Sequence, residues 1–313
     1  MWSQRLLSQV HEPSALLPAV AALLQQQRDS WPALRDGERA LRTMPTRFLA
    51  RGDSALLAQA NVRRSVSTFA KTDARSIAER PCFLCESNLP AEERGIAFDD
   101  LMVMANPFPA LPEHLTLAAR DHVPQRLSNR LVSMLRAACA LGSDYFLLYN
   151  GPHCGASAPD HFHFQAGRRS PMPIFDHSQL DVGSGVRVLC AGARNAVHIR
   201  AARQEDAVKW TEHVLAQLAA MDAEPPEPKV NVLTTFRGEH FNVLIFPRVR
   251  HRPANFFEPG QALAISPASL EMGGLVVVCD EDQYHNVVAS DLERIFQEVC
   301  VSAEQLRHAL EMS

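Results

Sequence analysis

Long apolar runs are missing from this chain. No stretch of about 18 apolar residues occurs, so a membrane-crossing helix is not expected. The opening MWSQRLLSQVHEPSALL lacks the succession of charge, apolar run and small-residue cleavage site that marks a secretory leader. Excess charge of either sign is missing as well. A net charge of −4 over 313 residues argues against a general polyanion binder, whose surface is markedly basic, so no nucleic-acid partner is expected. Cysteine is sparse: seven residues, an odd number, scattered except for Cys82 and Cys85, which reads as reduced and cytoplasmic. What is there, 46% apolar and 21% charged residues, is the composition of a soluble globular protein able to bury a large core.

Residues 1 to about 80 read as helical at first, with Leu16, Val20, Leu23 and Leu24 on one helical face, and irregular afterwards. The stretch NVRRSVSTFAKTDARSIAER, Asn61 to Arg80, is rich in basic and hydroxyl side chains. It is either a solvated linker or an arm that contacts phosphate through Arg63, Arg64 or Lys71. Cys82-Phe83-Leu84-Cys85 follows, and in a reduced protein such a pair is half a zinc site, a redox pair or a structural pair of thiols. Pro81 before it and ESNLPAEERG after it are turn chemistry, unlike the helix start a redox pair uses. Zinc takes four ligands; the best further donors are His161 and His122, with His114 as the rival.

FDDLMVMANPF and HLTLAA predict two strands joined by a turn containing Pro107, Pro109 and Pro112, with Asn106 a candidate ligand contact at its edge. Leu127, Leu131, Leu135, Ala138 and Leu141 lie at helical spacing and predict a core helix, and DYFLLYN predicts the next strand. In NGPHCGASAPDHFHFQ, Phe162 and Phe164 alternate with His161, His163 and Gln165. Period two sends the phenylalanines to a core and the three polar groups to the other face. Polar groups so close on a buried sheet are costly unless each has a partner, such as a metal or a ligand. The preceding loop, with Asn150, Gly155, Ala156 and Ser157, is small enough to aim backbone N–H groups and a hydroxyl at an anion. The combination points to a site that reacts with phosphate, and the basic pair Arg168-Arg169 suits a small phosphate ligand.

The second half repeats this ending in weakened form. Aligning EHFN of VNVLTTFRGEHFNVLIFPR with DHFH puts Asn242 at the place of His163 and Leu244 at that of Gln165, so this copy has lost the reactive face. Ala201 to Met221 predicts a helix, LVVVCDE a strand, and Leu292 to Met312 one closing helix. The expected fold class is α+β: two tandem halves with antiparallel sheets flanked by helices, the second degenerate. The expected segments are a helical segment and basic arm (1–80), a first half with the CxxC and H-x-H-x-Q (81–175) and a second half (176–313).

These residues resemble the galactose-1-phosphate uridylyltransferase branch of the histidine-triad superfamily, in which H-x-H-x-Q replaces the triad. The similarity extends to its dinucleoside-polyphosphate phosphorylases and, in NVLTTFRGEHFNVLIFPR and SPASLEMGGLVVVCDEDQY, to its GDP-hexose phosphorylases. The run from about Asn61 to Arg169 also resembles an uncharacterised bacterial family carrying CFLC and NGPxCGASAPDHxHFQAG together. The resemblance implies a structural zinc on Cys82, Cys85, His122 and His161, and a covalent nucleotidyl intermediate on His163. Gln165, Ser157 and the loop N–H groups would meet charge on the phosphate, with Asn150 tying the loop. The implied partners are a nucleotide or nucleotide-sugar substrate and inorganic phosphate or a sugar phosphate, in a monomer or homodimer. A hydrolase that passes the nucleotide to water is one rival; a non-catalytic nucleotide-binding or zinc-stabilised protein is the other.

Overall fold

In the computed structural model, residues 2, 5–70, 73–221, 227–256 and 263–311 are described. Thirteen strands are found among them: β1 (Leu6–Val10), β2 (Thr46–Ala50), β3 (Leu56–Ala60), β4 (Gly95–Phe98), β5 (Leu101–Ala105), β6 (Leu115–Ala119), β7 (Tyr145–Asn150), β8 (His163–Arg168), β9 (Gly185–Ala191), β10 (Arg194–Ala201), β11 (Val230–Arg237), β12 (His240–Pro247) and β13 (Leu275–Val278). Ten of them form one sheet in the order β1-β4-β5-β6-β8-β7-β11-β12-β10-β9, and β13-β3-β2 form a small second sheet. Every neighbour in the large sheet is antiparallel except β1 beside β4.

The expected α+β class is what the structure has, and the predicted order strand, strand, helix, strand, loop, strand is found as β5, β6, the helix Leu131–Leu141, β7 and β8. That topology occurs twice. The run β9, β10, the helix Gln204–Met221, β11 and β12 has the sheet order β9-β10-β12-β11, matching β5-β6-β8-β7, and the two runs meet where β7 pairs with β11.

Three helices, Leu16–Ser30, Leu131–Leu141 and Gln204–Met221, pack on one face of the large sheet. They do so because their apolar residues recur every three or four positions; Leu131, Met134, Leu135, Ala138 and Leu141 are all buried. Phe162 and Phe164 point into this helical side, edge to face at 4.8 Å, and truncating either to alanine should cost about 3–5 kcal/mol. The opposite face carries His163 and Gln165. It is covered by the segment around Pro173–Asp176, the small sheet and the helix Ala289–Val299. Register draws a straight row across this face: Gly95, Met104, Thr116, Gln165, Leu148, Leu233, Leu244, His198 and Arg187.

Two sequence expectations differ from the structure. The irregular part of residues 1–80 contains β2 and β3, and β1 precedes the first long helix. These strands are specified by distant partners, β1 by β4 and β3 by β13, which local periodicity does not show. The closing helix is two helices, Ala289–Val299 and Ala303–Glu311. The chain bends between them where Cys300 bridges to Arg248.

Candidate active site

Cys82 and Cys85 sit in the turn before β4, His122 just after β6, and His161 just before β8, so adjacent strands β6 and β8 bring the histidines to the thiols. The Cys82 sulfur is 3.3 Å from His161 Nδ1, and the Cys85 sulfur lies 3.2 Å from His122 Nδ1 and 3.5 Å from His161 Nδ1. All four donor atoms lie within 4.8 Å of one another. Tetrahedral zinc with S and N ligands needs donors about 3.3–3.8 Å apart, so the quartet is close to that geometry. The outer partners fit as well. His161 Nε2 donates to the Ala119 carbonyl at 2.9 Å, which turns the Nδ1 lone pair toward the sulfurs, and His122 Nε2 lies 3.7 Å from Asp160. Burial and the adjacent Cys82 push the Cys85 thiol up to about 11, so a negative charge there calls for a nearby cation. These residues can hold a metal ion. His114, the rival donor, is elsewhere.

His163 opens β8, with its ring on the face opposite Phe162 and Phe164. Its Nδ1 lies 2.9 Å from the His161 carbonyl. A carbonyl only accepts, so Nδ1 carries the proton and Nε2 keeps its lone pair. Among the described residues Nε2 has no hydrogen-bond partner, and the ring lines a cavity of about 720 Å³. Burial lowers the ring's pKa to about 4, so the imidazole is neutral at pH 7. The backbone here is fixed by Gln125, a buried residue that sequence reading missed. Its amide oxygen accepts from His163 N–H at 2.7 Å, and its NH2 donates to the carbonyls of His163 and Asn150 at 2.9 and 3.0 Å. One side chain thereby holds the two ends of the loop together.

Gln165, one strand position pair further on, is oriented by His114. Ala110 N–H donates to His114 Nδ1 at 3.2 Å, so His114 Nε2 carries the proton and donates to Gln165 Oε1 at 2.9 Å. The Gln165 NH2 is then left to face the cavity as a donor. Burial pushes His114 down to about 3, with Arg64 adding repulsion, which keeps this relay neutral. Asn150 is set in the same way. Its Oδ1 accepts from Asn231, from Ser269 N–H and from the Ser269 hydroxyl, while Asn231 also donates to the Cys154 carbonyl and accepts from Arg248. Gly155 has φ +96°, and a Cβ there would meet the Ala268 Cβ at 2.8 Å, so the loop needs glycine for both reasons.

Beside the large cavity lies a small one of about 50 Å³, lined by Asn150, Gly155, Ala156, Ser157 and Gln165 from the first half, and by His251, Arg252 and Ser266 from the second. Arg252 donates to Ser266 at 2.9 Å, and burial, with Arg252 and Arg248 nearby, lowers His251 to about 3. Sequence reading missed these three, because what marks them is a position more than eighty residues from the loop. It also missed Arg80. This residue donates to the Ser157 carbonyl and to Asp160 at 3.1 and 3.0 Å, and its Nη1 is buried with no partner among the described residues. Arg63 and Arg64 line the large cavity and Arg64 the small one too. Asn106 lines the large cavity, its oxygen accepting from Phe108 N–H. Lys71 lies outside the described residues. Arg168 does not join the site. Three residues beyond Gln165 on a strand, it falls on the other face, paired with Glu113 at 2.8 Å and stacked on Tyr145. In the second half Asn242 and Leu244 take the face positions of His163 and Gln165, and Asn242 bonds buried His198 at 3.0 Å.

Residues 23–168 match a family model described as a domain of unknown function, DUF4922. No curated protein matches the sequence. Among solved structures, the chain is similar to yeast Ap4A phosphorylase Apa2, with a TM-score of 0.55 at 17% identity, covering 90% of this chain and 94% of the yeast chain. The complexes of that enzyme with AMP and with Ap4A give TM-scores of 0.56 and 0.55 at 18% and 17% identity. Each complex covers 88% of this chain, and 94% and 95% of the yeast chain respectively. These are dinucleoside-polyphosphate phosphorylases, the group to which the sequence motifs were likened. The chain thus has the fold of the yeast Ap4A phosphorylase, and the DUF4922 match runs through the strand that carries His163.

Proposed function

We propose that this protein is a nucleotidyltransferase of the phosphorylase kind, passing a nucleoside monophosphate from a sugar nucleotide or dinucleoside polyphosphate to orthophosphate by way of His163. The observation that carries the reading is the neutral, tautomer-fixed imidazole whose Nε2 opens on the large cavity. The nucleotide's α-phosphorus meets Nε2; a P–N bond forms as the P–O bond to the leaving phosphate breaks, and the leaving group departs with that electron pair. The Nδ1 proton stays on the His161 carbonyl bond, which steadies the charge the ring acquires. Charge on the non-bridging oxygens is met by the Gln165 NH2, Ser157 and the orphan Nη1 of Arg80. Orthophosphate, held in the small cavity by Arg252, His251 and Ser266, then attacks the phosphorus and releases a nucleoside diphosphate and the free imidazole.

Cys82, Cys85, His122 and His161 would hold a structural zinc ion, whose contribution is rigidity at the start of β8, since protein supplies all four ligands. We read the chain as a leading segment, 1–80, and two halves, 81–175 and 176–313, the second having exchanged the nucleophile for Asn242.

The test is incubation with UDP-, GDP- and ADP-hexoses and dinucleoside tetraphosphates labelled at the α-phosphate. Acid-labile label on His163, and nucleoside diphosphate released only with orthophosphate, are expected; His163→Ala should keep the fold and lose both. Turnover by His163→Ala at the wild-type rate would end the covalent scheme. Nucleoside monophosphate released without phosphate would make the protein a hydrolase.

A further inference from the structure

The large cavity does not stop at the phosphate end. Along the register row it runs from Gln165 past Thr116 to Met104, two strand spacings or about 9–10 Å, and Gly95 is the next residue in that row. Two residues before Gly95, at the far end, stands Glu93. The residue is 7% exposed and lines the cavity, and its carboxyl makes no hydrogen bond or ion pair among the described residues. Arg5 offsets this burial only in part by its charge, because its guanidinium donates to the backbone carbonyls of Leu89, Pro90 and Glu93 itself. The surroundings are apolar, from Leu84, Leu89, Pro90 and Met104, and burial pushes the carboxyl up to about 7. A buried carboxyl group without a partner is costly, so its place in the cavity wall calls for a ligand that satisfies it.

The charge arrangement says which part of a ligand this is. Arg63, Arg64 and Arg80 are the cations of the cavity, and Arg80 binds the loop next to His163. Phosphates belong at that end, which leaves Glu93 for the opposite end of a nucleotide. Two large aromatic side chains line the cavity, Phe83 and Phe108, 46% and 54% exposed; the Arg80 guanidinium already lies over the Phe83 ring at 5.1 Å, which leaves Phe108 as the platform on which a base can stack. Above pH 7 the Glu93 carboxyl is ionised, and a carboxylate only accepts hydrogen bonds. Guanine presents two adjacent donors, N1–H and the N2 amino group, and satisfies both oxygens at once. Adenine and cytosine set an acceptor beside their amino group, and uracil sets a carbonyl on each side of its single N–H.

We propose that Glu93 is the specificity-determining residue of the nucleoside pocket and selects guanine through N1–H and N2–H. This rests on the reading of the cavity as a nucleotide site. Binding of GDP, ADP and UDP is measured by calorimetry on the full chain at pH 8, with and without Glu93→Gln. A bidentate pair discriminates by roughly ten- to a hundred-fold, so GDP should bind at least that much more tightly than ADP or UDP, and Glu93→Gln should abolish most of the difference while ADP binding holds or improves. Equal affinity of all three, or a preference that Glu93→Gln leaves unchanged, overturns the assignment while leaving transfer at His163 standing. Failure of every nucleotide to bind overturns both. A thermal midpoint for Glu93→Gln at or above wild type at pH 8 shows that the variant is folded.

Discussion

Glu93 ties the cavity to the pH response of the whole fold. In an unfolded chain its carboxyl ionises near the ordinary value of 4.5; in the fold, burial pushes this up to about 7, with Arg5 opposing. The folded state therefore holds the proton longer, and stability drains away as pH rises from about 4.5 through 7, by about 3 kcal/mol in all. Glu93→Gln removes this slope. Urea unfolding should find variant and wild type alike at pH 5 and the variant more stable at pH 8 by up to that amount; a constant difference at both would refute the argument. At this scale the sequence showed His163 and Gln165 plainly, because alternation with two phenylalanines fixes their face. It did not show Gln125 or Glu93, and it offered His114 only as a rival zinc donor. Each acts through contacts, or the lack of one, with groups remote in the chain: 38 residues away for Gln125 to His163, and 51 for His114 to Gln165. Gln125→Ala would strand three buried backbone groups and should cost about 2–5 kcal/mol, read from the urea midpoint.

Among the elements, β8 and the turn holding Cys82 and Cys85 stand or fall together. The turn's own hydrogen bonds are short-range, Cys85 N–H to the Cys82 carbonyl and Asn88 N–H to the Cys85 carbonyl, and the four donor atoms converge where β6 ends and β8 begins. Cys82→Ser combined with Cys85→Ser should therefore empty the site of zinc and lower the thermal midpoint on the order of 5–10 °C, with nucleotide binding at 20 °C largely kept. Metal analysis and calorimetry decide it; wild-type protein purified without metal would defeat the zinc assignment. The CxxC spacing made two of the clustered donors legible, and the strand ends supplied the other two. By contrast β1, β2 and β3 could not be read, since LLAQA owes its strand to LVVV more than two hundred residues later and has no pattern that excludes a loop.

Across the whole molecule the two topologically matched runs share one sheet, joined along β7 and β11 through Asn231 opposite Asn150 and Leu233 opposite Leu148. Residues 1–175 expressed alone would bare the long edge of β7, and such a fragment should be insoluble or unfolded, while the full chain should melt in a single calorimetric transition. Two separate transitions would mean that the runs are independent bodies. The internal repeat was visible because EHFN echoes DHFH; the seam between the copies was not, because β9 and β10 carry no echo of β5 and β6 that a single sequence reveals. The small cavity straddles that seam, with the loop before β8 on one side and His251 and Arg252 from beyond β12 on the other. On the proposed scheme, a chain severed after Pro247 would keep its imidazole yet forfeit Arg252, the arm meant for an incoming oxyanion. The proposed exchange between two phosphates would then be left open to solvent.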